Sequence, residues 1–199
     1  MKNILLATLM LASTISAADQ NTQTAVFGGG CFWCVEGTFL VIPGVSKVES
    51  GYAGGHVDNP TYKMVCDGTT GHAEVVQVTF DPAKVSYREL VDLFWYMHDP
   101  TTLNRQGHDS GTQYRSAIFT TSDDQKKAAD ASLAEHQKEF NNAIVTEVTP
   151  LKKFYPAEDY HQNFVNSNPN QGYVCSVAKP KIEKFKHKLA ELTAKADKK

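Results

Sequence analysis

Three consecutive glycines, then a cysteine and two aromatic residues, Gly28-Gly29-Gly30-Cys31-Phe32-Trp33, with a second cysteine at Cys34, restrict what this chain can build more than any other stretch. A short apolar run, Thr24 to Phe27, precedes it, and an amphipathic segment, Val35 to Val41, follows. A strand that stops in glycines and feeds a helix leaves unpaired backbone N–H groups directed at the turn, and this turn holds Cys31. An ordinary thiol titrates near ~8.5, and a helix N-terminus lowers that value by one to several units. Cys31 is therefore the candidate nucleophile. The competing reading of the residue is a buried cysteine behind a tight turn.

The chain opens with Lys2, an almost unbroken apolar stretch from Ile4 to Ile15, and small residues Ser16-Ala17-Ala18 before Asp19. One early positive charge, an apolar stretch too short for a bilayer and a small-residue end describe a cleavable secretory signal over residues 1–18, cut after Ala17 or Ala18. The expected location is beyond a membrane, in a bacterial periplasm, with a eukaryotic secretory pathway as the alternative. Residues 19–199 are then a single domain, with no stable membrane association once the signal is removed. The formal net charge of −2 offers no electrostatic case for nucleic acid. All four cysteines lie after the signal, unevenly spaced, in a domain large enough to need no staples, so redox chemistry competes with structural disulfides.

Periodicity and turn residues outline the rest. Thr24–Phe27, Val45–Tyr52, Ala73–Phe80, Ser116–Thr120 and Ile144–Pro150 read as strands. Val35–Val41 reads as a helix ended by Pro43-Gly44. Ser86 with Glu89 three residues on is a capping box opening a helix whose apolar face is Leu90, Leu93, Phe94 and Met97. Ser122–Phe140 is a charged helix with Ala129, Leu133, His136 and Phe140 at helical spacing, His136 falling at its surface or boundary. Lys179–Lys195 is a basic terminal helix packed through Ile182, Phe185 and Leu189. Two stretches, Ala53–Gly71 and Thr101–Arg115, carry no period and are longer than a compact domain tolerates without a use for them. This order predicts an α+β two-layer sandwich with a mixed sheet and its long functional loops at one end.

Beside Cys31 those loops supply a site. The first offers Tyr62 and ends at Gly71-His72-Ala73-Glu74, where a carboxyl heads an otherwise apolar strand. A carboxyl so placed has a raised pKa and holds a proton near neutrality, unless it is simply an exposed strand-end charge. The second loop offers Asp109 and Tyr114.

Four motifs, Gly30-Cys31-Phe32-Trp33, the run from Pro60-Thr61-Tyr62 to Thr70-Gly71-His72-Ala73-Glu74, Gly111-Thr112-Gln113-Tyr114-Arg115-Ser116, and Pro156-Ala157-Glu158-Asp159-Tyr160-His161-Gln162, resemble peptide methionine sulfoxide reductases of the A type, in the family's order and across the whole chain after the signal. The resemblance implies a nucleophilic Cys31, an acid role for Glu74, and hydrogen-bonding roles for Tyr62, Asp109 and Tyr114 around the sulfoxide oxygen. It implies a pocket for the S-methyl group walled by Phe32 and Trp33, with His161 nearby, and action on the S epimer of methionine sulfoxide in oxidised proteins or peptides, the free amino acid being left open. Reduction leaves Cys31 as a sulfenic acid, which a second thiol converts to a disulfide that a thioredoxin-like reductant reopens. No cofactor or metal is expected, and a monomer is.

The resolving thiol is expected to be Cys175, in a loose Asn/Gly/Pro-rich segment able to reach over the site, with Cys34 as the alternative. Two departures accompany this. Gly172-Tyr173-Val174-Cys175 is one residue longer than the family's common Gly-Tyr-Cys, and His108 stands where asparagine is common. Cys66 is expected to be a buried, non-reactive thiol. Two other classes remain: a general disulfide oxidoreductase using Cys31 and Cys34, although Gly30 stands where such sites carry Trp, and a metal-binding or structural module, although no zinc-finger spacing is present.

Overall fold

The computed structural model describes residues 22–196, so the signal expected at 1–18 lies outside the described residues. In chain order the elements are β1 (Gln23–Gly29), α1 (Phe32–Phe39), β2 (Val45–Ala53), α2 (Tyr62–Cys66), β3 (Ala73–Phe80), α3 (Tyr87–Phe94), the two-residue strands β4 (Arg105–Gln106) and β5 (Asp109–Ser110), β6 (Ser116–Thr120), α4 (Asp123–His136), β7 (Glu147–Pro150), β8 (Phe154–Pro156), α5 (Phe164–Ser167) and α6 (Lys179–Ala196). Six strands form one sheet in the order β7-β6-β1-β3-β2-β8, and β4 with β5 makes a separate small hairpin. β6 and β7 pair in parallel and every other pairing in the large sheet is antiparallel, so the fold is the mixed-sheet α+β sandwich expected.

Successive side chains of a strand point to opposite faces. Ala25, Phe27, Val76, Val78 and Ile118 line one face and share the main core with Phe39, Leu90, Phe94 and Phe185 of the helices. Val26, Val75, Ala117 and Phe119 face the other way, into a smaller cluster under Leu151 and Phe154. Phe27 lies at the centre, its ring 4.8 Å from Phe39 and 5.2 Å from Phe94. Glu74 shares its parity with Val76 and Val78 and so faces the helical layer at the start of β3, where α1 begins.

The strand does not stop in the glycines. Gly28 and Gly29 pair with Ala117 and Ser116 of β6, and the chain leaves the sheet only at Gly30. Gly30 has φ +94, and a Cβ there would stand 2.7 Å from the Gln106 side chain, so conformation and space both demand glycine. α1 starts at Phe32, earlier than its periodicity suggests, because Cys31 is its N-cap.

The capping box forms as expected: the Ser86 hydroxyl accepts the Glu89 N–H at 3.2 Å, and Glu89 Oε2 accepts the Ser86 N–H at 2.8 Å. Met97 falls beyond the end of α3, yet still packs on the core. His136, expected at a surface or boundary, is buried against Trp95 and Tyr96, with Nδ1 3.0 Å from the Ser132 carbonyl. The first long loop contains α2, and the second contains the β4–β5 hairpin and a helical turn at Thr112–Tyr114. The stretch before Cys175 holds β8, a turn at Asp159–His161 and α5. β8 ends in Pro156, which an edge strand tolerates. Cys175 lies in a wide helical turn, Val174–Ala178, that runs straight into α6, not in a loose segment.

Candidate active site

Cys31 caps α1 with non-helical torsions (φ −56, ψ 122), and its carbonyl accepts the Cys34 N–H at 3.0 Å. Its side chain makes no cap bond. The orphan N–H of Phe32, the first helical residue, goes instead to Glu74 Oε2 at 3.0 Å. A carboxyl on β3 thus finishes the helix that presents the thiol, and the acid is fixed to the residue next to the nucleophile. Glu74 is 1% exposed. Burial pushes its pKa up to about 8, against the opposing bond from Phe32, so the group is a carboxylic acid at neutral pH.

Cys31 is not lowered by its helix, as the local sequence suggested. The hydrogen bond with Cys34, then burial, then the charge of ionised Glu74 hold its thiol well above the ordinary range. Cys34 moves the other way: the bond from Cys31, then Lys181 and Tyr173, pull it down against its burial. Two thiols sharing one proton cannot both be favoured as thiolates. A protonated Glu74 removes the repulsion on Cys31, so the acid that can donate a proton also eases ionisation of the nucleophile.

The expected tyrosines converge here. Burial first raises the pKa of both Tyr62 and Tyr114; Tyr62 also bonds to Cys66, and Glu74 adds to both, keeping them hydroxyl donors across the physiological range. Tyr62 opens α2, and its N–H donates to Glu158 Oε1 at 2.8 Å, while Glu158 Oε2 accepts the hydroxyl of buried Tyr52 at 2.8 Å. Glu158 therefore ties the Tyr62 segment to β2 across the start of the site. Asp109 Oδ2 accepts the Tyr173 hydroxyl at 2.8 Å, and that hydroxyl is 3.7 Å from Cys34 Sγ.

Phe32 is fully buried, its ring centroid 5.0 Å from His161 and 6.3 Å from Tyr62. Trp33 stacks on Phe164 with centroids 3.7 Å apart and planes 5° apart, and its indole N–H donates to His161 Nδ1 at 3.2 Å. Because tryptophan only donates, this bond assigns the His161 proton to Nε2. Glu36, on α1, holds the next segment: its Oε1 accepts the Asn163 N–H at 2.8 Å, and burial raises its pKa to about 7.

The structure thus brings together Cys31, Cys34, Glu74, Tyr62, Asp109, Tyr114, Phe32, Trp33 and His161. It does not bring Cys175 in with them: that thiol is exposed and donates to the Pro169 carbonyl at 3.4 Å. The thiol beside Cys31 is Cys34. Cys66, expected to be buried, is exposed at the end of α2, whose only buried residue is Val65. His108 is exposed. Among the described residues no group of three His, Cys, Asp or Glu is placed to hold a metal ion. Glu158, Tyr52, Phe164 and Tyr173 were given no role by the sequence; Glu158 and Tyr173 lie within quoted motifs, whereas Tyr52 and Phe164 carry no signal beyond being aromatic.

The family model described as peptide methionine sulfoxide reductase matches residues 23–193. The peptide methionine sulfoxide reductase MsrA of Acinetobacter baumannii (strain AYE) is 55% identical over 170 residues, covering 85% of this chain and 98% of that protein. Mxr1 from Saccharomyces cerevisiae in reduced form superposes with a TM-score of 0.74 at 38% identity, covering 81% of this chain and 93% of that one. Mxr1 in complex with Trx2 matches with a TM-score of 0.53 at 27% identity, covering 77% and 92%. With an acid bonded to the residue next to a thiol, aromatic side chains around them and these matches over nearly its whole described length, the chain belongs to the peptide methionine sulfoxide reductases of the A type, oxidoreductases that return methionine sulfoxide to methionine.

Proposed function

We propose that the chain reduces the S epimer of methionine sulfoxide in oxidised proteins and peptides, acting as a monomer beyond a membrane, in a bacterial periplasm, to which the apolar leader directs it. Cys31 gives up its thiol proton and attacks the sulfoxide sulfur while Glu74 gives its proton to the oxygen, and the thiol proton replaces the one Glu74 has given. Tyr62 and Tyr114 donate to the same oxygen, with Asp109 beside them. The S-methyl group rests against Phe32 and Trp33, where burying one methyl contributes about 0.8 kcal/mol, enough to bias its orientation. The oxygen passes from the methionine sulfur to the Cys31 sulfur as the S–O bond to methionine and the transient bond between the two sulfurs break, so methionine leaves and Cys31 keeps the oxygen as a sulfenic acid. The observation that carries this reading is the Phe32 N–H to Glu74 bond, which holds a protonated acid at the turn presenting the thiol.

Cys34 is the first thiol to meet the sulfenic acid. Cys31 is a cap and Cys34 lies in the first turn, so their disulfide needs no break in the helix. A thioredoxin-like reductant then reopens the bond, a reading supported by the match to Mxr1 in complex with Trx2. A second route, in which the disulfide passes on to Cys175, is favoured by one observation: Cys175 is exposed while Cys31 and Cys34 are buried.

Dithiothreitol-driven turnover of a peptide carrying methionine sulfoxide tests the activity. Release of the reduced peptide supports the proposal, and a chain that shuffles disulfides but leaves the sulfoxide intact contradicts it.

A further inference from the structure

Three segments distant in sequence meet at one hydroxyl. Tyr173, two residues before Cys175, donates its proton to Asp109 Oδ2 at 2.8 Å, and Asp109 belongs to the β4–β5 hairpin. The Tyr173 hydroxyl oxygen is also 3.7 Å from Cys34 Sγ on α1. A tyrosine hydroxyl has one proton to give; with it on Asp109, the oxygen stands as an acceptor toward the thiol. The ring is fixed: it meets Trp33 edge-on at 5.9 Å, and the next residue, Val174, is fully buried. Cys34 itself is only 4% exposed, so water has little direct access to its proton.

We propose that Tyr173 is a further catalytic residue, serving the resolving step: it takes the proton of the Cys34 thiol and passes its own to Asp109 as Cys34 closes the disulfide with Cys31. This rests on the reading that Cys31 becomes a sulfenic acid and that Cys34 resolves it. The step is Cys34–SH plus Cys31–S–OH giving Cys31–S–S–Cys34 plus water. The S–S bond forms as the S–O bond breaks; the Cys34 sulfur is oxidised and the Cys31 sulfur reduced. The thiol proton moves to the Tyr173 oxygen and the Tyr173 proton to Asp109. The departing hydroxide takes a proton from Glu74 and leaves as water, and the proton held on Asp109 returns to Glu74 through solvent. Asp109 thereby has a second task beside the one it has at the sulfoxide oxygen.

Tyr173→Phe keeps the ring against Trp33 and removes the hydroxyl. In rapid-mixing single turnovers without reductant, quenched with dimedone, the Cys31 adduct, the mapped disulfide and released methionine are measured together by mass spectrometry. The expected result is that disulfide formation in Tyr173→Phe slows by about 100-fold, the scale of a positioned proton acceptor, and by at least about tenfold more than methionine release, so that the adduct accumulates. The variant's disulfide-forming rate should then climb about tenfold per pH unit toward the ordinary thiol pKa of ~8.5, while the unmutated enzyme stays nearly flat. Disulfide formation within about threefold of the unmutated rate at every pH overturns the proposal, as does mapping the first disulfide to Cys175 with Cys34 still a thiol. Failure of the unmutated enzyme to release methionine overturns the activity reading and this proposal with it.

Discussion

Glu74 Oε2 accepts the backbone N–H of Phe32 at 3.0 Å, so one side chain both caps the helix that presents Cys31 and stands beside it as an acid. The capping bond favours the carboxylate, yet burial outweighs it and holds the group near 8. The acid is therefore protonated when the enzyme works and close enough to the thiol to act on the same small group.

Replacing Glu74 with Gln keeps an acceptor for Phe32 and removes the transferable proton. Methionine release in a single turnover is expected to slow by about 100-fold or more at neutral pH. In the unmutated enzyme the same step should weaken as pH rises through about 8, where Glu74 loses its proton. An unchanged rate in Glu74→Gln would assign the proton to Tyr62, Tyr114 or water.

Cys31→Ser is expected to abolish reduction while leaving the circular dichroism spectrum and the unfolding midpoint close to those of the unmutated chain, because the hydroxyl differs little in volume and cannot form the sulfur adduct. Turnover at the unmutated rate would move the nucleophile elsewhere.

Sequence and structure agree most closely where the signals are local. β3 runs Ala73–Phe80 as its alternation indicates, and Ser86 with Glu89 opens α3 as its spacing requires. Cys31, Glu74, Tyr62 and Tyr114, all legible in the sequence as candidates, come together in the fold. The thiol chemistry of Cys31 was not legible: the helix N-terminus suggested a lowered pKa, whereas Cys34, burial and Glu74, all consequences of tertiary packing, raise it. Glu158 and Tyr173 act on Tyr62 and Cys34 across 96 and 139 residues, distances over which no periodicity speaks. β8 is three residues long, too short for alternation to show in the sequence. The turn-forming neighbours of Cys175 point to a loose segment, but buried Val174 and Ala178 anchor that turn to α6.

Glu36 gives stability a pH dependence that is separable from catalysis. Its folded pKa of about 7 lies above the ordinary glutamate value of 4.5, so between those limits the folded chain binds more protons than the unfolded one. Stability from this group is fully present below about 4.5 and is lost as pH rises through about 7. Glu36→Gln keeps an acceptor for Asn163 and removes the titration. Urea unfolding from pH 5 to 8 should show a shallower loss in the variant, by about 1 kcal/mol or more. Equal slopes in the two chains would show that Glu36 does not titrate in this range.

The order of the thiols is tested by Cys34→Ser and Cys175→Ser side by side. Both should release close to one methionine per enzyme. Cys34→Ser is expected to leave the Cys31 sulfenic acid open to trapping and to lose most of its thioredoxin-driven turnover, whereas Cys175→Ser still forms the Cys31–Cys34 disulfide. A first disulfide between Cys31 and Cys175 in the unmutated enzyme would reverse this order.

Every later step of the reaction requires that Cys31 take oxygen from one epimer of the sulfoxide. Single turnover of the reduced enzyme with separated S and R epimers of a methionine sulfoxide peptide, without added reductant, measures this directly. The predicted result is about one reduced peptide per enzyme from the S epimer, none from the R epimer, and the loss of two thiols, Cys31 and Cys34. Release from the R epimer alone, or from neither, contradicts it.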